Sequence, residues 1–220
     1  MMTFVTDGAA RFAGAVWAAL PDISDALAHL PSDRAGIRLH GIRALNALLA
    51  PSGAVGAVAA QVLGPRCRPV RAILFDKTPA ANWSLAWHQD RTIVVQTRKD
   101  VDGFGPWTTK GGLQHVAPPF ELLSGMVTLR VHLDAVGSAN APLLVAPGSH
   151  RFGRVCEEDI PDVVEQCGVV ACLANAGDIW LYATPILHAS EAAAEPCRRR
   201  VLQLDYAAAE LPGGLRWLGV

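Results

Sequence analysis

The chain has 220 residues, of which 51% are hydrophobic and 18% are charged, so it holds enough apolar material for the core of one domain. Its 20 acidic and 19 basic residues leave a net charge of −1, and this balance argues against a protein that binds nucleic-acid backbones. The five cysteines include no C-x-x-C pair, which argues against a disulfide framework or a zinc ribbon. We therefore expect reduced thiols and a cytoplasmic protein.

The first 65 residues predict a helical segment. Ala and Leu are frequent there, and apolar residues recur at helical spacing until the sequence Pro51-Ser52-Gly53 interrupts them. We predict two or three helices in residues 1–65. The apolar run at residues 12–20 lacks a basic segment before it, and nowhere do about 18 uncharged apolar residues follow one another, so we expect neither a signal peptide nor a contact with the membrane.

The rest of the chain predicts β-structure. From residue 71 onward, short apolar runs alternate with turns rich in Gly, Pro, Asn and Asp, a pattern typical of a sandwich or barrel. No interior linker divides the chain, so we predict one domain over residues 1–220 with its β core in residues 70–210. The predicted strands are 71–75, 85–97, 126–133, 143–146, 169–173, 178–182 and 200–206.

Three separated polar motifs interrupt these apolar runs. His88 and Asp90 lie two apart in a predicted strand and therefore point to the same face, although such a triplet alone also fits a core histidine beside a turn. His188 follows a strand and a turn one hundred positions later. The run from Arg198 to Arg200 leads into an apolar strand, where an arginine that points inward requires an anion.

Together these motifs indicate a metal site. Two imidazoles and one carboxylate on a β scaffold form the facial triad that binds Fe(II) and leaves positions open. An arginine near the metal can hold a dicarboxylate cosubstrate through paired hydrogen bonds. His88, Asp90, His188 and Arg199 occur in the chain order that such a site requires.

Over roughly residues 73–206 the sequence resembles the phytanoyl-CoA dioxygenase family of Fe(II)/2-oxoglutarate-dependent oxygenases. The resemblance is carried by Lys77-Thr78-Pro79, Trp87-His88-Gln89-Asp90, Leu143-Leu144-Val145-Ala146-Pro147-Gly148-Ser149-His150, His188-Ala189-Ser190 and Arg199-Arg200-Val201-Leu202. It implies a mostly β fold, the double-stranded β-helix (a cupin-like jelly-roll barrel), with helices at the N-terminus. It also implies an enzyme that uses Fe(II), 2-oxoglutarate and O2 to hydroxylate an unactivated C–H bond of a small molecule, releasing succinate and CO2.

The resemblance assigns roles residue by residue. His88, Asp90 and His188 match the metal ligands, and Arg199 matches the arginine that pairs with the distal carboxylate of 2-oxoglutarate. Ser190 matches an assisting hydroxyl, and Gln89 matches a pocket residue near the cosubstrate. Strand alternation favours Arg199 over Arg200 as the inward residue, because Arg200 shares its face with the apolar residues that follow it: Leu202, Leu204 and Tyr206.

Three further residues are candidates for substrate binding. Arg130 lies on the polar face of the predicted strand 126–133, a position that is aromatic in some family members. Lys110 and His115 flank a Gly-rich loop, and such loops often bind substrates. A surface position explains each of the three equally well. If they line the site, the substrate carries a negative charge.

Two other functions compete with a hydroxylase. A halogenase of this fold requires a small residue where Asp90 stands. A non-catalytic or non-redox cupin-like metal-binding protein remains as the alternative, but it would not require an arginine for 2-oxoglutarate.

Overall fold

The computed structural model describes residues 2–32 and 34–220. The helices in this part of the chain are α1 (Phe4–Asp7), α2 (Leu20–Leu27), α3 (Asn46–Leu49), α4 (Gly56–Leu63), α5 (Phe120–Ser124) and α6 (Ile160–Cys167), with short 3-10 helices at Trp17–Ala19, Arg43–Leu45, Pro79–Ala81 and Ser149–Phe152. The strands are β1 (Ala9–Phe12), β2 (Gly36–Leu39), β3 (Arg68–Lys77), β4 (Leu85–His88), β5 (Ile93–Val95), β6 (Trp107–Lys110), β7 (Leu113–Val116), β8 (Met126–His132), β9 (Leu143–Val145), β10 (Val170–Cys172), β11 (Ile179–Ala183), β12 (His188–Ser190) and β13 (Arg199–Ala207).

The strands form three open antiparallel sheets. The major sheet has the order β1-β11-β8-β13-β3-β2, and the minor sheet has the order β10-β9-β12-β4. Side chains of the two sheets meet in the interior, where the rings of Tyr182 on β11 and His188 on β12 lie 5.7 Å apart. A third sheet, β5-β7-β6, completes the arrangement. The predicted jelly-roll fold is confirmed.

The major sheet separates an apolar layer from a polar interior. On β13, Leu202, Leu204 and Tyr206 are fully buried against a core that includes residues of α2, α3 and α4. Arg199 and Gln203 point to the opposite side, into the space between the sheets. The helices thus remove the apolar face from water, which is the main stabilising contribution of such a layer, and the other face is left for polar chemistry.

The N-terminal region differs from its prediction. Helices α2, α3 and α4 lie within residues 1–65 as expected, but β1 and β2 also lie there and form the two edges of the major sheet. Each of these strands has only four residues. So short a run shows no clear alternation of apolar and polar residues, and the strands exist because β11 and β3 offer free edges.

Two other regions also differ. The predicted strand 85–97 is divided between β4 of the minor sheet and β5 of the third sheet. The predicted Gly-rich loop is the turn of a hairpin that joins β6 to β7. Its central residues, Gly111 and Gly112, have φ values of 57° and 79°, which tight hairpin turns require and which glycine adopts without strain. Within the described residues, no helix has the length and apolar character needed to span a membrane.

Candidate metal centre and cosubstrate pocket

His88, Asp90 and His188 converge between the two large sheets. His88 ends β4, and His188 begins the neighbouring strand β12 directly opposite it in the register. Their rings lie 4.2 Å apart between centroids. One ligand atom from each of the three residues lies within 4.8 Å of the others. The three side chains therefore form a compact set of metal donors.

Hydrogen bonds to the main chain orient both imidazoles. Nδ1 of His88 lies 2.7 Å from the carbonyl oxygen of Ala86, and Nδ1 of His188 lies 2.9 Å from that of Ile186. A carbonyl can only accept, so this partner assigns the proton to Nδ1 and leaves Nε2 as the donor to a metal. Burial lowers the pKa of His188 to about 4, against the opposing charge of Asp90. His188 is therefore neutral near pH 7, as a metal ligand must be.

An arginine holds the carboxylate of the cluster. Arg71 Nη2 donates to Asp90 Oδ2 at 3.0 Å, and Arg71 Nε lies 2.6 Å from Asp205 Oδ2. Thr128 donates in turn to Asp205. Burial alone would raise the pKa of Asp90, but Arg71 and then the two imidazoles hold it below its usual range. Asp90 is thus ionised, and two imidazoles with one carboxylate fit Fe(II).

The Pro-Gly-Ser-His loop fixes the start of β12. Gly148 has a φ of 81°, a left-handed conformation that allows the chain to turn there. The adjacent Ser149 is fully buried, and its hydroxyl accepts the N–H of Leu187 at 2.8 Å. Because Leu187 precedes His188, this contact restrains the second histidine of the cluster.

A group of three buried cations lies beside the cluster. Lys77, Arg130 and Arg199 are only 3%, 7% and 2% exposed. Lys77 Nζ donates to Ser190 Oγ at 3.3 Å and to two carbonyl oxygens, and Arg130 donates to Gln203 Oε1 at 2.8 Å. The Nε atoms of both arginines have no hydrogen-bond partner among the described residues.

These three cations repel one another. Burial, and then the charges of Arg199 and Arg130, lower the pKa of Lys77 to about 8. Burial and Arg130 likewise lower the pKa of Arg199. Buried cations without counterions are costly, so this arrangement fits an anion that binds among them. A dicarboxylate such as 2-oxoglutarate has the required charge.

One cavity of about 170 Å³ is lined by the metal cluster and by Arg130 and Arg199, and Lys77 adjoins it through Ser190. Of the residues proposed from the sequence, its lining contains His88, Asp90, His188, Arg199, Ser190, Arg130, Lys110 and His115. Arg71 and Arg38 also line it, and no local pattern in the sequence selects either, since each depends on a strand pairing. Lys77 belongs to a motif that carries the family resemblance but has no assigned role there. A lysine within an apolar strand is nevertheless a sequence feature that could identify it as a site residue.

Gln89, which the resemblance matches to a pocket residue, does not line this inner cavity, although it does line a wider groove that also contains His88 and Asp90. Its amide donates to the carbonyl oxygens of Gly153 and Pro185 at 2.9 and 2.8 Å, and its oxygen accepts the N–H of Val155 at 3.0 Å. The physical reason is strand alternation, because the residue between His88 and Asp90 points to the opposite face. Gln89 ties together backbone segments that lie behind the cluster.

Replacing Gln89 by Ala tests whether it contacts the cosubstrate. We expect the free energy of unfolding to fall by about 2–3 kcal/mol, because three buried backbone groups lose their partner. Chemical denaturation measures this change. The affinity for 2-oxoglutarate should remain within about threefold of the wild type, because the hydrogen bonds that Gln89 makes are separate from the proposed cosubstrate contacts. A large loss of affinity with unchanged stability would return Gln89 to the cosubstrate site.

The fold and this cluster define the class of cupin-like jelly-roll proteins with a two-histidine, one-carboxylate metal centre. The model of the phytanoyl-CoA dioxygenase family, PhyH, matches residues 38–201. Because the match covers most of the chain, the protein belongs to this family of Fe(II)/2-oxoglutarate-dependent oxygenases, as its motifs predict. No curated protein sequence matches it.

Solved structures share the fold at low sequence identity. EctD from S. alaskensis with 2-oxoglutarate and 5-hydroxyectoine has a TM-score of 0.65 and 22% identity, and the match covers 93% of this chain and 73% of EctD. HygX from Streptomyces hygroscopicus with nickel, 2-oxoglutarate and hygromycin B has a TM-score of 0.61 and 16% identity, with 93% and 84% covered. The epimerase SnoN with Fe3+, alpha-ketoglutarate and nogalamycin RO has a TM-score of 0.62 and 16% identity, with 96% and 88% covered.

Proposed function

We propose that the protein is an Fe(II)/2-oxoglutarate-dependent hydroxylase that acts on a C–H bond of a small organic molecule. The observation that carries this proposal is the group of Lys77, Arg130 and Arg199 in the same cavity region as the His-Asp-His cluster. A metal site alone would also suit a cupin-like binding protein. Three buried cations beside it require a second, anionic ligand, which 2-oxoglutarate supplies.

In this mechanism each part of the cavity has a separate task. His88, Asp90 and His188 hold the iron, and Arg199 holds the distal carboxylate of 2-oxoglutarate with support from Arg130. Lys77 fixes the hydroxyl of Ser190 beside it. Apolar side chains of the lining, Ile73, Phe75 and Leu143, exclude water from the space between. Iron with 2-oxoglutarate and O2 supplies the oxidising power, with release of succinate and CO2.

The same cavity supports an anionic substrate. Lys110 and His115 on the β6–β7 hairpin belong to its lining, as do Arg71 and Arg38. Nδ1 of His115 lies 3.1 Å from the carbonyl oxygen of Leu113, so Nε2 is left for another contact. We further propose the cytoplasm as its compartment, because all five cysteines are free thiols.

Anaerobic titration with Fe(II) and 2-oxoglutarate tests the function. We expect a metal-to-ligand charge-transfer absorption band that appears only when both are present. Fe(II) binding without a response to 2-oxoglutarate would instead favour the non-redox, cupin-like alternative. A halogenase is disfavoured because Asp90 occupies the position that a halide would need.

The pH dependence of 2-oxoglutarate binding should report on Lys77. Its pKa of about 8 means that it is charged and attracts the dianion below pH 8, and that it loses this charge above. We expect the dissociation constant to rise about tenfold between pH 7 and pH 9. Calorimetric titration of the Mn(II) form measures this change. Lys77→Met should bind weakly with little pH dependence, whereas an unchanged pH profile in that variant would contradict the assignment.

A further inference from the structure

Two cations, Arg38 and Lys110, lie at the entrance of the cavity, and neither has a task in holding iron or 2-oxoglutarate. Arg38 lies on the edge strand β2 and Lys110 ends β6, and both line the inner cavity and also the outer groove that leads to it. The side chain of Arg38 lies beside Gly111 in the hairpin turn. Both side chains are exposed, and neither forms a salt bridge with a residue that the structure describes.

The interior itself retains an excess of positive charge. Two buried carboxylates, Asp90 and Asp205, lie near four cations in or beside the cavity. These cations are Arg71, Lys77, Arg130 and Arg199. Fe(II) and 2-oxoglutarate carry equal and opposite charges, so binding both leaves this excess unchanged. A neutral or cationic substrate would leave it uncompensated, whereas an anionic group would reduce it.

The outer groove supplies a second kind of surface. It has a volume of about 1130 Å³ and shares His88 and Asp90 with the inner cavity, so it opens onto the proposed metal ligands. Trp87 and residues of α6 also line the groove; those of α6 are the apolar Ile160, Pro161 and Val164 and the acidic Glu165. The negative charge of Glu157, which also lines the groove, lies 3.4 Å from Arg91. The groove therefore offers both apolar side chains and cations to a bound molecule.

We propose that Arg38 and Lys110 form the anion-binding subsite for the substrate, and that the substrate is an organic anion with an apolar body. Its carboxylate, sulfate or phosphate group lies between the two cations, and its apolar part packs on Trp87 and α6. This inference rests on the proposed function, because it names the class of molecule that the same metal centre oxidises.

A pair of dyes that differ in charge tests the subsite. The sulfonate 8-anilinonaphthalene-1-sulfonate has an apolar body and one negative charge, and N-phenyl-1-naphthylamine is its neutral counterpart. Fluorescence titration of the anaerobic Fe(II)–2-oxoglutarate form gives both dissociation constants. We expect Arg38→Gln and Lys110→Gln each to weaken sulfonate binding about tenfold, the loss of one charge-assisted contact, and to leave the neutral dye unchanged.

Two control variants locate the effect. Arg43→Gln removes an exposed cation outside the groove and should change neither dye. Val164→Asp places a charge among the apolar residues of the groove and should weaken both. The proposal would be overturned if Arg38→Gln affected both dyes equally or affected neither. It would also be overturned if Val164→Asp left sulfonate binding intact. The charge-transfer band of the same samples is a separate readout: its absence would refute the oxygenase, and a normal band with binding indifferent to dye charge would refute the anion subsite alone.

Discussion

Replacing Arg199 by Ala is expected to weaken 2-oxoglutarate binding by about 30-fold or more. Arg199 is 2% exposed and lines the inner cavity. Its Nη1 donates to the carbonyl oxygen of Ala141, which holds the guanidinium in place and leaves Nε without a partner among the described residues. Removing the Arg199 side chain leaves the distal carboxylate of 2-oxoglutarate buried with fewer hydrogen-bond donors. The lost binding free energy raises the dissociation constant. Anaerobic titration of the charge-transfer band measures it.

Arg200→Ala is the matched control, because the next residue in the chain is also an arginine. Arg200 points to the other face of β13 and donates to both oxygens of Asp134, at 2.8 and 2.9 Å. Its side chain is 30% exposed, so we expect less than a tenfold effect on 2-oxoglutarate binding and a modest loss of stability. The opposite ranking of the two variants would place the cosubstrate on the outer face and refute the proposed site.

Periodicity within a strand made part of this site predictable. His88 and Asp90 lie two residues apart, and Arg199 and Arg200 lie one apart, so alternation alone separates shared faces from opposite faces. The same rule, applied to Gln89, would have directed it away from the cluster. There the family resemblance suggested a pocket role, and the local geometry of the strand opposes it.

Other parts of the site depend on pairings between distant segments. Arg71 meets Asp205 because β3 and β13 pair in a register that places the two residues opposite each other. Arg38 reaches the cavity because Gly36–Leu39 adds to the free edge of β3. Nothing local to either segment specifies its partner, since register is set by the whole sheet. Only the folded structure therefore identifies Arg71 and Arg38 as residues of the site.

Replacing Asp90 by Ala is expected to lower the affinity for Fe(II) by about 100-fold or more, because loss of a ligand exceeds the 10–100-fold cost typical of losing a supporting contact. Two imidazoles remain as ligands, and without the carboxylate the site also loses the negative charge that attracts a cation. Arg71 keeps Asp205 as its partner at 2.6 Å, so the chain should still fold. Equilibrium dialysis against Fe(II) under anaerobic conditions measures the affinity, and circular dichroism checks the fold.

A surface aspartate provides the control for this variant. Asp162 is exposed on α6, away from the cluster, and Asp162→Ala should bind iron like the wild type. The Fe(II)–2-oxoglutarate band should disappear in Asp90→Ala and persist in Asp162→Ala, because 2-oxoglutarate can chelate only iron that the protein holds. Wild-type iron affinity and an intact band in Asp90→Ala would show that Arg71 binds Asp90 for structural reasons alone, and the metal would then require a ligand other than this carboxylate.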